Sequence, residues 1–313
     1  MQTAPIRIAT RGSALALWQA EAVRSALAQA HGLPPDRFAV VPIRTSGDRI
    51  QDRSLAAAGG KGLFSKEIEE ALLAGTVDLA VHSAKDMETF LRPGLAIGAY
   101  LEREDVRDAW ISRHGTALAD LPEGARIGTA SLRREALLRR VRPDLEIGLL
   151  RGNVPTRLAK IEVGAFDATL LAAAGLLRLG MEDRIDAYLD LDGFPPACGQ
   201  GAVAVECRAD DKVRDLLVAI DHRDTALAVS CERAFLAALD GSCRTPIAGY
   251  ASLQDGRLSF KGVLFSPDGR QAFDAARSGP ASTAAEAVAL GREAGLEVRA
   301  GVPAELAAAL GMG

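Results

Sequence analysis

The stretch Arg7-Ile8-Ala9-Thr10-Arg11-Gly12-Ser13 runs an apolar segment into a tight turn, then into a helical pattern carried by Leu17, Trp18, Val23 and Leu27. The same grammar returns at Arg126-Ile127-Gly128-Thr129-Ala130-Ser131, followed by Leu132, Leu137, Leu138 and Val141. Each reads as a short buried strand, a turn, and a helix capped by serine, whose hydroxyl accepts from a free N–H of the first turn. Outward from these, residues 77–81 and 166–171 are apolar strands preceded by a helical run and a glycine, and residues 38–44 and 146–150 supply a further strand to each set. Two βα-alternating domains of similar plan follow, each with a mostly parallel sheet. Charged residues 100–107 suit the connection between them; Pro195-Pro196 marks a second crossing, after which residues 202–207 read as a strand returning to the first domain.

From Asp224 the pattern changes. Asp224 is expected to cap a helix through Leu227, Val229, Ala234, Phe235 and Leu239, with Gly241 as its stop. Strands at 247–253 and 258–265 are joined by an Asp255-Gly256 turn, Asp268-Gly269 marks another turn, and a last helix covers about 283–295. The expected architecture is α/β: domain 1 from residues 1–101 and 202–219, domain 2 from 107–195, and a small α+β domain 3 from 224–313. Residues 47–62, with Gly59-Gly60-Lys61-Gly62, form a connection longer than usual, which reads as a lid or binding loop or as plain surface loop.

Composition narrows the function classes. The 313 residues accommodate two domains, or three if one is small. Aromatic residues make up only 4%, too few for the stacking platforms of single-strand nucleic-acid binders. Net charge is −4, so an anion-binding surface must come from locally gathered arginine. The first residues show no secretion signal, and the longest apolar run, residues 168–177, is too short to cross a bilayer. The expectation is a cytoplasmic protein with no membrane or nucleic-acid partner. Cys198, Cys207, Cys231 and Cys243 contain no Cys-x-x-Cys pair and the four histidines are scattered, so no metal site is expected.

Arginines stand where a polyanion would be gripped. Arg11, Arg133 and Arg134 lie beside helix starts, Arg151 follows a strand, Arg157 begins a helix, and Arg178 precedes a helix end. Helix N-termini favour anions, and guanidinium offers planar two-point contacts to carboxylate or phosphate. In α/β sheets ligands collect at the carboxyl ends of the strands, where these residues fall. Val81-His82-Ser83-Ala84-Lys85-Asp86 ends a buried strand, placing Asp86 and Lys85 at the same edge, as reactive groups or as a simple turn. Cys243, in Gly241-Ser242-Cys243-Arg244, is either a small turn residue or a thiol whose reactive thiolate is favoured by the adjacent guanidinium.

Taken together, these stretches resemble the porphobilinogen deaminase (hydroxymethylbilane synthase) family. The likeness is carried by residues 8–11 with Leu15-Ala16-Leu17-Trp18-Gln19-Ala20, and by residues 59–64, 82–86, 128–134, 151–157, 196–202 and 241–246. It implies three domains, the first two built like bilobal solute-binding proteins. It implies a dipyrromethane cofactor held by a thioether to Cys243, porphobilinogen and the growing oligopyrrole as partners, and a monomer. The implied reaction joins four porphobilinogen molecules with loss of ammonia and frees the linear tetrapyrrole by hydrolysis. Asp86 is then the carboxylate that stabilises the cation left when ammonia departs. Arg11, Arg133, Arg134, Arg151, Arg157 and Arg178 match positions that bind the pyrrole carboxylates, with Ser13, Thr129, Ser131 and Lys85 adding contacts, and Lys61 and Phe64 belong to the lid. Two positions depart from the family pattern: Glu88 stands where proline is usual, and Ala57 where lysine is frequent. A non-catalytic bilobal binder of an anionic ligand would explain the paired domains and arginines but not the cysteine loop; a DNA-binding regulator lacks a recognition helix and has the wrong net charge.

Overall fold

The computed structural model describes residues 4–49, 62, 64–241 and 245–312. The first lobe contains β1 (Ile6–Arg11), α1 (Ala14–His31), β2 (Phe38–Ile43), α2 (Ser46–Arg49), α3 (Lys66–Leu73), β3 (Leu79–Ser83) and β4 (Leu95–Tyr100). The second contains β5 (Asp108–Ser112), β6 (Arg126–Thr129), α4 (Leu132–Val141), β7 (Glu146–Leu149), α5 (Val154–Glu162), β8 (Ala168–Ala172), α6 (Ala173–Arg178) and β9 (Ala187–Tyr188). The chain then re-enters the first lobe with β10 (Val203–Arg208) and α7 (Val213–Leu217). Strand order is β2-β1-β3-β10-β4 in one sheet and β7-β6-β8-β5-β9 in the other, so the echo in the sequence is an echo in topology.

Pairing is mixed. β1, β2 and β3 are mutually parallel, as are β6, β7 and β8, whereas β10 and β5 run antiparallel to both of their neighbours. The reversed strand in each sheet is the one that directly follows a crossing. The remaining strands share one direction and present their carboxyl ends along one edge. Ile8, Ala9, Leu79, Ala80, Ile127, Leu170 and Leu171 are buried in these strands, as expected of strands covered on both faces.

The third unit comprises α8 (Arg223–Ala238), β11 (Ile247–Gln254), β12 (Arg257–Phe265), β13 (Ala272–Pro280), α9 (Ala284–Gly301) and α10 (Ala304–Ala309), its three strands forming an antiparallel meander. Several details differ from the sequence reading. The cap of α8 is His222, whose Nδ1 accepts from Thr225 N at 3.3 Å, while Asp224 sits in the first turn, where its charge still suits the helix dipole. At the other end Asp240 takes the left-handed conformation with φ 50°. Gly241 answers to space instead: a Cβ there would lie 2.5 Å from Ile247 Cδ1. α9 passes through Gly295 to Gly301, because Gly291 and Gly295 are packing positions; a Cβ on Gly291 would lie 1.9 Å from the Cys231 carbonyl of α8.

Glu232 of α8 ties the three units together. Its buried carboxylate accepts from Arg103 Nη1 at 2.7 Å and Nη2 at 3.0 Å, from Gly199 N at 2.6 Å and from Ala251 N at 2.8 Å. Arg103 lies on the outgoing crossing, Gly199 on the returning one, and Ala251 in β11. Truncating one partner leaves a buried charge unpaired. Glu232→Ala is therefore expected to cost about 3 kcal/mol, read as a lowered urea midpoint; an unchanged midpoint would show that the junction carries no stability.

Candidate active site

The turn that carries Lys85 and Asp86 is short because β3 ends against the returning chain. Ala84–Asp86 form one turn of 3₁₀ helix, and Ala84 N donates to Ala202 O at 3.0 Å. Gly199 makes the approach possible: it has φ 76°, and a Cβ there would lie 3.0 Å from Lys85 N. Asp86 is left exposed and Lys85 half-buried. Burial, helped by Arg134 and Arg133, pushes the Lys85 ammonium down to about 8, with Asp86 and Asp108 pulling the other way. Lys85 Nζ donates to Gln200 Oε1 at 3.1 Å, a neutral acceptor that leaves its charge uncancelled.

Arg133 and Arg134, in the first turn of α4, are buried and converge on Asp108, the first residue of β5. Arg133 Nη2 donates to Asp108 Oδ2 at 2.8 Å, and Arg134 donates to Oδ1 at 2.8 Å and Oδ2 at 3.2 Å. Further donations go to the carbonyls of Pro195 (2.7 Å) and Leu170 (2.8 Å). Burial alone would raise the Asp108 carboxyl, but the two guanidinium charges, with hydrogen bonds from Arg134 and Gln200, hold it well below the usual carboxylate range. These arginines are thus built into the lobe, with one carboxylate set against two positive charges.

Arg157 in α5 donates to Gly152 O at 2.8 Å. Burial first, then Arg134 and Arg151, push it down to about 10 against the opposing pull of Asp86. Asp86, Lys85, Arg134 and Arg157 therefore share one electrostatic neighbourhood, although they come from both lobes. Arg151 is buried at the end of β7. Arg178 donates to Gly201 O at 2.7 Å and stacks on Trp18 of α1 with 5.4 Å to the ring centroid. Arg11 lies 4.2 Å over the Phe64 ring. Of the expected hydroxyls, Ser13 accepts from Ala16 N (3.3 Å) and Ser131 from Arg134 N (3.4 Å) as helix caps, while Thr129 Oγ1 accepts from Ser131 N at 3.1 Å. Cys243 and Lys61 lie outside the described residues, as does Ala57.

Two family models cover most of this chain. The model described as porphobilinogen deaminase, dipyromethane cofactor binding domain, matches residues 6–215, and the porphobilinogen deaminase C-terminal domain matches residues 226–300. The chain belongs to the porphobilinogen deaminase family. The porphobilinogen deaminase of Nitrobacter winogradskyi is 55% identical over 293 residues, covering 93% of this chain and 92% of the relative. That of Nitrobacter hamburgensis shows the same identity and coverage. Among solved structures, the VFT2 domain of Bordetella pertussis BvgS (double mutant) aligns with 69% of this chain and 85% of its own at TM-score 0.41 and 17% identity.

In this member of the porphobilinogen deaminase family the departure at Glu88 has a structural counterpart. The Glu88 carboxylate accepts from Gly62 N, Arg233 Nη2 donates to the carbonyls of Glu88 (2.8 Å) and Thr89 (3.0 Å), and Thr89 Oγ1 donates to Gly241 O at 2.6 Å. The segment after Asp86 is therefore fastened to α8 and to Gly241. Sequence reasoning missed Asp108 and Gln200. A lone aspartate opening an apolar strand and a glutamine between two glycines carry no local signal of a shared network; only the two crossings bring them together.

Proposed function

We propose that this chain joins four porphobilinogen molecules head to tail, with loss of one ammonia per addition, on a dipyrromethane primer attached through Cys243, and then releases hydroxymethylbilane by hydrolysis. The observation that carries the reading is the gathering of Lys85, Arg133, Arg134 and Arg157 around an exposed Asp86, with these cations outnumbering the carboxylates Asp86 and Asp108. A surplus of fixed positive charge suits pyrroles bearing acetate and propionate groups, which is the fit the primer requires. When bound, the dipyrromethane supplies the pyrrole α-carbon on which the product is extended.

The chain's own residues have separable roles. Lys85, Arg11, Arg151, Arg157 and Arg178 bind and orient carboxylates, guanidinium giving two-point contacts, while Arg133 and Arg134, held by Asp108, add fixed positive charge behind them. Asp86 faces the substrate carbon that turns cationic when ammonia leaves, and holds the proton exchanged with the departing amine. Ser13, Thr129 and Ser131 order the helix starts that carry the arginines, Arg11 belongs with the carboxylate-binding arginines, and Phe64, whose ring lies 4.2 Å from the Arg11 guanidinium, is assigned to the lid. The reading includes a monomeric cytoplasmic enzyme that engages neither nucleic acid nor membrane. No helix among the described residues is long and apolar enough to cross a membrane.

Intact mass tests the proposal. The purified chain is expected to carry the added mass of one dipyrrole, to gain further pyrrole units with porphobilinogen, and to release ammonia. The added mass should be missing from Cys243→Ser. A bare, ammonia-silent chain would mark a binding protein instead, and an active chain without the adduct would remove Cys243 from the reading.

A further inference from the structure

Gln200 sits on the returning crossing with none of its surface exposed, and all of its amide atoms are engaged. Nε2 donates to Asp108 Oδ1 at 2.8 Å and to Val106 O at 2.7 Å, on the outgoing crossing. Oε1 accepts from Lys85 Nζ at 3.1 Å. One amide therefore joins the Lys85-Asp86 turn of the first lobe to the carboxylate that collects Arg133 and Arg134 of the second. We propose that Gln200 is a positioning residue for catalysis: it holds Lys85 and the Asp108–Arg133–Arg134 cluster in one register across both crossings while leaving the Lys85 charge free for a substrate carboxylate.

The residue type is what this task demands. A glutamate at 200 would cancel the Lys85 charge and oppose Asp108. An apolar residue of equal length would take from the half-buried Lys85 ammonium its amide acceptor and remove one donor from Asp108. Only a neutral side chain with a donor at one end and an acceptor at the other satisfies both neighbours. The local backbone is shaped to deliver it: Gly199 and Gly201 flank it with φ 76° and 85°, and Gln200 N donates to Ala197 O at 3.0 Å. Lys85 also faces Asp86 on its own turn and Asp108, Arg133 and Arg134 from the second lobe, so its titration reports on this network directly.

The role rests on the proposed function, but its test does not need turnover. Reductive methylation of the full-length native protein with formaldehyde and dimethylamine-borane, followed from pH 6 to 11 by peptide mass, gives the titration midpoint of Lys85. Wild type is expected at about 8. Gln200→Glu, which sets a carboxylate against the ammonium, is expected to raise the midpoint by about one to three pH units. Gln200→Met is expected to lower it and to raise KM for porphobilinogen about tenfold with a smaller change in kcat, the signature of lost substrate binding. A glutamine that does not hold Lys85 would leave the Lys85 midpoint unmoved in folded Gln200→Met, and that result overturns the proposal. Should neither variant fold, Gln200→Asn, which keeps the amide but withdraws it from Lys85, gives the same reading, and an unmoved Lys85 midpoint overturns the proposal. Because Lys85 midpoints are compared between proteins in the same dipyrrole state, as intact mass records it, failure of this link is distinguishable from failure of the enzymatic reading.

Discussion

Asp86→Asn is expected to keep the fold and the bound pyrrole while losing two to three decades of turnover. The side chain is exposed at the end of a 3₁₀ turn, and no hydrogen bond from it fastens one element to another among those described, so its replacement by an isosteric amide leaves the protein's scaffold intact. The loss arises in the transition state. A carboxylate and a substrate cation about 4 Å apart, at an effective dielectric near 20, attract by roughly 4 kcal/mol. If the cation exists only as ammonia departs, that attraction is about a thousandfold in rate. Asparagine keeps the shape and a dipole, which is why the expected loss stops short of abolition. The measurement is single-turnover ammonia release alongside a urea melt. Near-normal release from a folded variant would show that another group carries the charge, whereas a fall in both stability and rate would reassign Asp86 to structure.

The sequence showed the repeated strand-turn-helix unit because its cause is local: apolar strand residues, a serine cap and a helical period all lie within one short stretch. The strands at Leu79–Ser83, Ala168–Ala172 and Val203–Arg208 were legible for the same reason. Strand direction after a crossing was not, since nothing local in Asp108–Ser112 or Val203–Arg208 records which way the chain enters a sheet. Glycine misled where it serves packing: Gly295 suggested a helix end, yet with Gly291 it lets α9 lie against α8. The arginines were legible as a group by their places at strand ends and helix starts. Their division into Arg133 and Arg134, built around Asp108, and Arg157, in the neighbourhood of Asp86, was hidden, because it depends on a carboxylate contributed from a distant part of the chain.

That carboxylate supplies the largest expected effect on stability. Asp108→Asn leaves two buried guanidinium groups with no countercharge, a loss of about 3–5 kcal/mol by the usual cost of breaking a buried pair. The effect should depend on pH in a defined sense. The folded-state carboxyl is held well below the ordinary range by Arg133 and Arg134 in spite of its burial, so its ionised form stabilises the folded protein at every pH above the unfolded value of about 3.9. As pH falls below that value the unfolded chain takes up the proton first, and the stabilisation drains by up to about 1.4 kcal/mol per pH unit until the folded carboxyl is protonated too. Other carboxylates titrate in both proteins and cancel in the difference. Urea midpoints of wild type and Asp108→Asn should therefore lie far apart at pH 7, remain so to about pH 5, and draw progressively closer as pH falls below about 4. A gap that stays constant into acid would mean that hydrogen-bond geometry and not charge holds the two arginines. A gap below about 1 kcal/mol at pH 7 would mean that Gln200 and the carbonyls of Pro195 and Leu170 suffice without it.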